Sequence, residues 1–120
     1  MIRKANQQRR STEPNLKGGR DIIRLTHFLE ESESYGTGRL FGISTIPPGG
    51  SIGYHTHTGD FEIYYILKGE AKVCDNGEED ILRPGDCMVC LEGDSHSTEN
   101  IGENDLEYVA IILFTRRNEI

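Results

Sequence analysis

Residues 49–69 read GGSIGYHTHTGDFEIYYILKG, and this stretch decides the fold. Two histidines separated by one residue precede a Thr-Gly-Asp turn, and a run of aromatic and β-branched residues typical of a strand follows it. His55 and His57 are two residues apart, so on a strand both imidazoles project from one face, about 6.5 Å apart along the chain. That relation suits two neighbouring ligands of a single metal ion.

Glu62 and His96 complete a candidate ligand set with these two histidines. On a continuous strand Glu62 would face away from them, but the turn at 58–60 starts a new strand on which it can point back. His96 follows another glycine turn. Three imidazoles and one carboxylate suit a divalent transition metal such as manganese, iron, nickel or zinc, and do not suit calcium. Four such ligands on an octahedral ion leave two positions for water, substrate or oxygen, as catalysis requires.

Any one histidine on a strand is more often a polar surface residue than a metal ligand. His27 has no candidate ligand near it in the sequence and is interpreted as a surface residue. The other three histidines differ from it because their spacing and the intervening turns bring them towards one place.

From Arg39 onward apolar and polar residues alternate in short runs. Turn-forming residues such as glycine, proline, asparagine and aspartate separate these runs about every eight to twelve residues. The pattern predicts an antiparallel sandwich or closed barrel in one domain. Asp21–Leu29 is ambiguous between a strand and one short helical turn. The predicted strands are Arg39–Ile46, Ser51–His57, Phe61–Leu67, Glu70–Cys74, Glu78–Leu82, Cys87–Leu91 and Leu106–Phe114.

Two segments carry a resemblance to the cupin superfamily. Residues 49–69 follow the pattern G-x5-H-x-H-x4-E-x6-G and resemble the first cupin motif at every defined position. Residues 85–100 read GDCMVCLEGDSHSTEN and resemble the second motif, with Leu91 where the family usually has proline. That proline shapes a turn and is not a ligand, so its replacement bears on local rigidity more than on metal binding.

The resemblance implies an all-β double-stranded β-helix, the jelly-roll or cupin barrel, as a single domain over residues 21–120. It implies one divalent metal inside the open end of the barrel, held by His55, His57, Glu62 and His96. It also implies a homodimer, commonly formed through N-terminal strands, for which Asp21–Leu29 is the candidate segment.

The N-terminal residues 1–20 differ from the rest of the chain in charge. The net charge is −7, but residues 1–20 carry +5 and the remainder −12. We expect these residues to form a basic, flexible arm with little structure. The acidic domain itself would repel nucleic acid.

No apolar run is long enough to cross a membrane and none follows the basic N-terminus as in a secretory signal, so the expected location is cytoplasmic.

The three cysteines do not indicate a disulfide framework, because their number is odd. Cys87 and Cys90 form a Cys-x-x-Cys pair, but on a strand residues three apart point to opposite faces. They are therefore interpreted as small buried side chains, in preference to redox or zinc ligands.

If the candidate ligands point inward, alternation along the strand places Tyr64 and Ile66 inside with Glu62. Tyr64 is a candidate catalytic residue, since its hydroxyl is close enough to reach a metal-bound oxygen, although aromatic side chains also simply fill small barrels. The predicted pocket residues are Phe41, Ile43, Thr45, Tyr64, Ile66, Met88, Ile112 and Phe114.

No lysine or arginine is predicted to point into the pocket. Arg39 and Arg83 lie at strand ends and are interpreted as surface charges, which disfavours highly charged substrates such as sugar phosphates or oxalate. The favoured function is a metalloenzyme acting on a small organic molecule, of dioxygenase, decarboxylase or isomerase type. The alternative is a non-catalytic module that binds or senses a small molecule or sugar with the same pocket.

Overall fold

Two antiparallel sheets make up the computed structural model of the protein, which describes residues 1–116. Ten strands are described: β1 Arg9–Pro14, β2 Ile22–His27, β3 Gly38–Ile46, β4 Ser51–Thr56, β5 Asp60–Lys68, β6 Ala71–Asp75, β7 Glu78–Leu82, β8 Cys87–Cys90, β9 Ser95–Asn100 and β10 Leu106–Phe114. The larger sheet has the order β1-β2-β3-β10-β5-β8, and the smaller has the order β4-β9-β6-β7. The predicted all-β jelly-roll barrel is confirmed. Residues 117–120, the end of the predicted domain, lie outside the described residues.

Turn chemistry explains how the strands are joined. The β6–β7 hairpin closes on Asn76 and Gly77, which both adopt positive φ angles, 49° and 87°. A two-residue turn of this kind matches the right-handed twist of the flanking strands, and the Asn-Gly pair favours it. In the described part of the chain three short 3-10 helices lie outside the ladders, at Ala5–Gln7, Leu16–Gly18 and Glu31–Glu33.

The N-terminal segment is part of the sheet, so the prediction of little structure is wrong for residues 9–14. β1 pairs along its whole length with β2, from Arg9 opposite His27 to Pro14 opposite Ile22. The strand could not be recognised from its sequence, RRSTEP, because ladder hydrogen bonds join backbone groups and a mostly exposed strand needs no apolar side chains. The ambiguous segment 21–29 contains a strand, β2, which also pairs with β3.

Residues 15–20, which connect β1 to β2, pass over β4 with their backbones in close contact. The backbone N–H of Ser51 donates to the Arg20 carbonyl oxygen (2.9 Å), and the backbone N–H of Arg20 donates to Ser51 Oγ (3.0 Å). A Cβ atom at Gly53 would overlap the carbonyl oxygen of Lys17. The approach therefore requires glycine at position 53, and it fixes residues 15–20 against the smaller sheet.

The apolar core lies between the two sheets and includes Tyr64, Ile66, Val73, Leu106 and Tyr108. The opposite face of the larger sheet is also apolar. It presents side chains from four adjacent strands, namely Phe41, Ile43, Phe61, Ile63, Tyr65, Leu67, Val89, Val109, Ile111 and Leu113. We call this set the outer face. Tyr65, Leu67 and Val89 on it are 43–47% exposed.

Within residues 1–116 no helix is long and apolar enough to cross a membrane. The cytoplasmic location stays a prediction from the sequence.

Candidate metal centre

The four predicted ligands meet at one point between the sheets. His55 on β4 and His96 on β9 are direct cross-strand partners, His57 follows the end of β4, and Glu62 comes from β5 in the other sheet. Their ligand atoms all lie within 4.8 Å of one another, so the cluster can hold a metal ion. The turn before β5 brings Glu62 to the histidines, as the sequence predicted.

The separations between donor atoms fit ligands around a single ion. His96 Nε2 lies 3.1 Å from the Nε2 atoms of both His55 and His57. Glu62 Oε1 lies 3.2 Å from the Nε2 atoms of His57 and His96. Two ligands at right angles on bonds of about 2.1 Å lie about 3.0 Å apart, which agrees with these distances.

Hydrogen bonds behind two of the imidazoles set their orientation. His55 Nδ1 donates to the Gly53 carbonyl oxygen at 2.7 Å, and His57 Nδ1 donates to Asp60 Oδ1 at 2.6 Å. Because a carbonyl or carboxylate oxygen can only accept here, these Nδ1 atoms carry the protons and the Nε2 atoms can offer lone pairs to an ion. Asp60 is held in turn by Arg39, whose Nε donates to Asp60 Oδ2 at 2.9 Å. Such supporting contacts are typical of histidines that bind metals.

Burial and close contacts shift the pKa values of three members of the cluster. Burial lowers the pKa of His55 and favours the neutral imidazole that a metal requires. A hydrogen bond with the Glu62 carboxylate raises the pKa of His57. Burial opposes ionisation of Glu62, but contacts with His57 and His96 outweigh it and lower the pKa of that carboxyl group.

A cavity of about 310 Å³ opens onto the cluster. Of the predicted pocket residues, Tyr64 and Ile112 line it. Tyr64 is fully buried, its ring lies 5.5 Å from that of His96, and its hydroxyl accepts a hydrogen bond from Thr98 (3.3 Å). Burial raises the pKa of Tyr64 well above its usual value, so the phenol is neutral. Its catalytic role stays a prediction.

The predicted register of β3 is wrong. Leu40 and Ser44 line the cavity, whereas Phe41, Ile43 and Thr45 point to the other face of the sheet. A shift of one residue reverses every side chain of a strand, and both faces of β3 carry apolar residues, so alternation alone could not distinguish them.

Three further predicted pocket residues also lie away from the cavity. Ile66 and Met88 belong to the core between the sheets, and Phe114 at the end of β10 is not among the lining residues. Ile66 is buried on the same side of its strand as Glu62 and Tyr64, as alternation predicted.

The cavity wall includes residues that the sequence did not single out for this role. Glu13, Leu16 and Lys17 come from the N-terminal segment. His27 also lines the cavity, and its Nε2 lies 2.8 Å from Ser11 Oγ, so its interpretation as a surface residue is wrong. Burial lowers its pKa and favours the neutral imidazole. The pairing of β1 with β2 accounts for Glu13 and His27, and the approach of residues 15–20 to β4 accounts for Leu16 and Lys17.

Arg39 was also interpreted as a surface charge, and this is wrong in part. Its side chain is 44% exposed, but it lines the cavity and holds Asp60. Lys17 is a second cationic residue in the wall. The prediction of a pocket without cations is therefore wrong.

The cysteines take no part in the cluster. All three are free thiols; Cys87 is exposed and Cys90 is buried, so they face opposite sides as predicted. The expectation of a buried side chain is wrong for Cys87. Burial raises the pKa of Cys90 to about 12, which makes its thiol unreactive.

Comparisons with known proteins agree with this geometry. The family described as "Cupin domain" matches residues 42–112. A curated protein of Thermotoga maritima named oxalate-binding protein is 42% identical over 99 residues, which cover 82% of each chain. A crystal structure from Thermotoga maritima, described as a predicted oxalate decarboxylase, has a TM-score of 0.89 and 38% identity, covering 95% of this chain and 99% of that one. The cupin domain of Cnp3 from Schizosaccharomyces pombe shares the fold alone, with a TM-score of 0.70 and 13% identity over 87% of this chain and 68% of that one.

Proposed function

This chain belongs to the cupin family, and from that premise we propose that it holds one divalent transition metal and binds a small carboxylate anion of the oxalate class at it. His55, His57, Glu62 and His96 would hold the ion, which is manganese, iron, nickel or zinc. The observation that carries the proposal is the convergence of their donor atoms within 4.8 Å at the wall of a cavity. When bound, the ion supplies Lewis-acid polarisation of a carboxylate oxygen.

The charge of the cavity wall supports an anionic ligand. Arg39 and Lys17 both line the cavity. The guanidinium of Arg39 uses Nε for Asp60, and its two terminal nitrogens have no hydrogen-bond partner in the part of the chain that is described. A planar guanidinium matches the geometry of a carboxylate. The relative named oxalate-binding protein is consistent with such a ligand, which the sequence taken alone had disfavoured.

The proposal is tested by titrating oxalate into metal-loaded and chelated protein in a calorimeter. We expect binding to the loaded protein and none to the chelated protein. The Arg39→Met variant should bind oxalate about tenfold more weakly, a loss of about 1.4 kcal/mol, because it lacks the guanidinium group that pairs with a carboxylate of oxalate. Metal content measured on the same variant separates this effect from damage to the Asp60–His57 contact.

Arg83→Met is the matched control, because this arginine is 63% exposed and does not line the cavity. Its oxalate affinity should equal that of the wild type. Equal binding by chelated and loaded protein, or equal affinities for the Arg39 and Arg83 variants, would refute the proposal.

A metalloenzyme of decarboxylase type is the second candidate, and the position of Tyr64 favours it. This neutral phenol lies in the cavity wall beside His96 and can hold or donate a proton there. Oxalate turnover would release carbon dioxide and formate, vanish with chelator and return with one particular metal. Oxalate binding without product under any metal or oxygen condition would leave the protein a binding module.

We also propose that two copies associate through the outer face. The candidate segment Asp21–Leu29 is less suitable, because β2 is already paired on both edges, with β1 and β3. The outer face offers contiguous apolar side chains from four strands, including Tyr65 and Val89, which are 47% and 43% exposed. An exposed apolar patch of this kind favours association with another protein surface.

The double variant Tyr65→Glu/Val89→Glu should convert a dimer into a monomer, because two carboxylates per chain would be buried without partners. Light scattering on a sizing column measures this directly. Ile81→Glu, on β7 of the other sheet and 38% exposed, should remain dimeric. A monomeric wild type, or a double variant that stays dimeric, would contradict the proposal.

A further inference from the structure

The three histidines of the cluster differ in what holds their second ring nitrogen. His55 and His57 each donate from Nδ1, to Gly53 and Asp60 respectively. His96 is fully buried, and its Nδ1 has no hydrogen-bond partner among residues 1–116. Leaving a buried ring nitrogen unpaired is unfavourable, and metal-binding histidines nearly always have a hydrogen-bond partner for their second ring nitrogen.

A matching group lies directly across the sheet. Asp75 on β6 is the cross-strand partner of His96 on β9. Its Oδ1 is also buried and also lacks a partner in the described part of the chain. The Nδ1 atom of His96 can donate a proton and the carboxylate of Asp75 can only accept one, so the two unpaired groups are complementary.

The register brings the two side chains close together. The backbone N–H of Asn76 donates to the Ser95 carbonyl oxygen at 2.8 Å, which makes that pair the hydrogen-bonded one. Asp75 and His96 therefore form the adjacent non-hydrogen-bonded pair, in which side chains on the same face approach most closely, with Cβ atoms about 4.5–5.5 Å apart. The next residues on this face, Val73 and Thr98, are buried, so both side chains point inward.

We propose that Asp75 is the positioning residue for His96: its carboxylate accepts the Nδ1 proton of His96, directly or through one water, and so aims Nε2 at the metal. The inference rests on the proposed metal site. A carboxylate in this position fixes the tautomer and raises the basicity of the imidazole, as Asp60 does for His57. Each histidine of the cluster then has a defined acceptor behind it.

The affinity for Zn²⁺ alone, measured by competition with a chromophoric chelator, tests this role. Asp75→Ala should weaken zinc binding 10- to 100-fold, the usual effect of removing such a partner. Asp75→Asn keeps an acceptor oxygen but loses the charge, so it should weaken binding less. Asp80→Asn, on the exposed β7 strand, is the matched control and should bind like the wild type.

Nitrogen NMR of the histidine rings gives a second readout that a merely structural role would not change. In the zinc-loaded wild type the His96 Nδ1 proton should be protected from exchange, and Asp75→Ala should expose it. If Asp75→Ala does not fold, Asp75→Asn carries the test. Zinc affinities of the Asp75 variants within twofold of the control, with wild-type zinc binding intact, would overturn this inference alone. A wild type that binds no zinc would overturn it together with the proposed metal site.

Discussion

Replacing both His55 and His96 with alanine is expected to reduce the metal content of the purified protein from about one ion per chain to background. The two residues are cross-strand partners whose Nε2 atoms lie 3.1 Å apart, so the double variant removes two neighbouring donors. The remaining His57 and Glu62 provide only two donors, fewer than the three protein ligands that metal sites of this kind usually retain. Elemental analysis of protein purified without added metal measures the effect.

His27→Ala is the control for this experiment. The residue lines the same cavity, but its Nε2 contacts Ser11 and it is not part of the cluster. Its metal content should match that of the wild type. A sub-stoichiometric content that the double variant leaves unchanged would mean that the ion, if present, is held elsewhere.

Gly53→Ala is expected to destabilise the protein by more than about 2 kcal/mol, through a collision between backbone segments. The added Cβ would overlap the carbonyl group of Lys17 and crowd the backbone nitrogen of Gly19, and no side-chain rotation relieves either contact. The segment 15–20 would have to leave β4, which removes Leu16 and Lys17 from the cavity wall. The Gly53 carbonyl also accepts from His55, so zinc affinity should fall as well.

Urea denaturation measures the stability change, with Gly102→Ala as the control. A Cβ at Gly102 meets only Asn100 Oδ1, at 3.4 Å, so this substitution should change the free energy of unfolding by less than about 0.5 kcal/mol. If the two variants are equally stable, the N-terminal segment does not pack against β4 in solution, and the cavity wall described above is wrong.

His55, His57 and Glu62 were predictable from the sequence because their relation is local, whereas His96 was identified through the resemblance of residues 85–100 to the second cupin motif. His55 and His57 share a strand face by their spacing, and the glycine turn before β5 lets Glu62 return to them. The Asn-Gly hairpin was likewise predictable from two residues. In each case the deciding constraint lies within a few neighbours along the chain.

The cavity wall was not predictable, because its members are brought together by long-range pairing. β1 is polar and becomes a strand only through its ladder with β2, which in turn places His27 and Glu13 at the cavity. On β3 both faces are apolar, so the inward register depends on which side meets the smaller sheet. Arg39 becomes a cavity residue through Asp60, a contact that spans 21 residues.

The most direct test of the proposed metal centre is a crystal structure of manganese-loaded protein with data collected for anomalous scattering. One strong anomalous peak per chain is expected, within about 2.0–2.3 Å of the Nε2 atoms of His55, His57 and His96 and of a carboxylate oxygen of Glu62. An absent peak at this point, or an ion bound only by surface carboxylates, would contradict it.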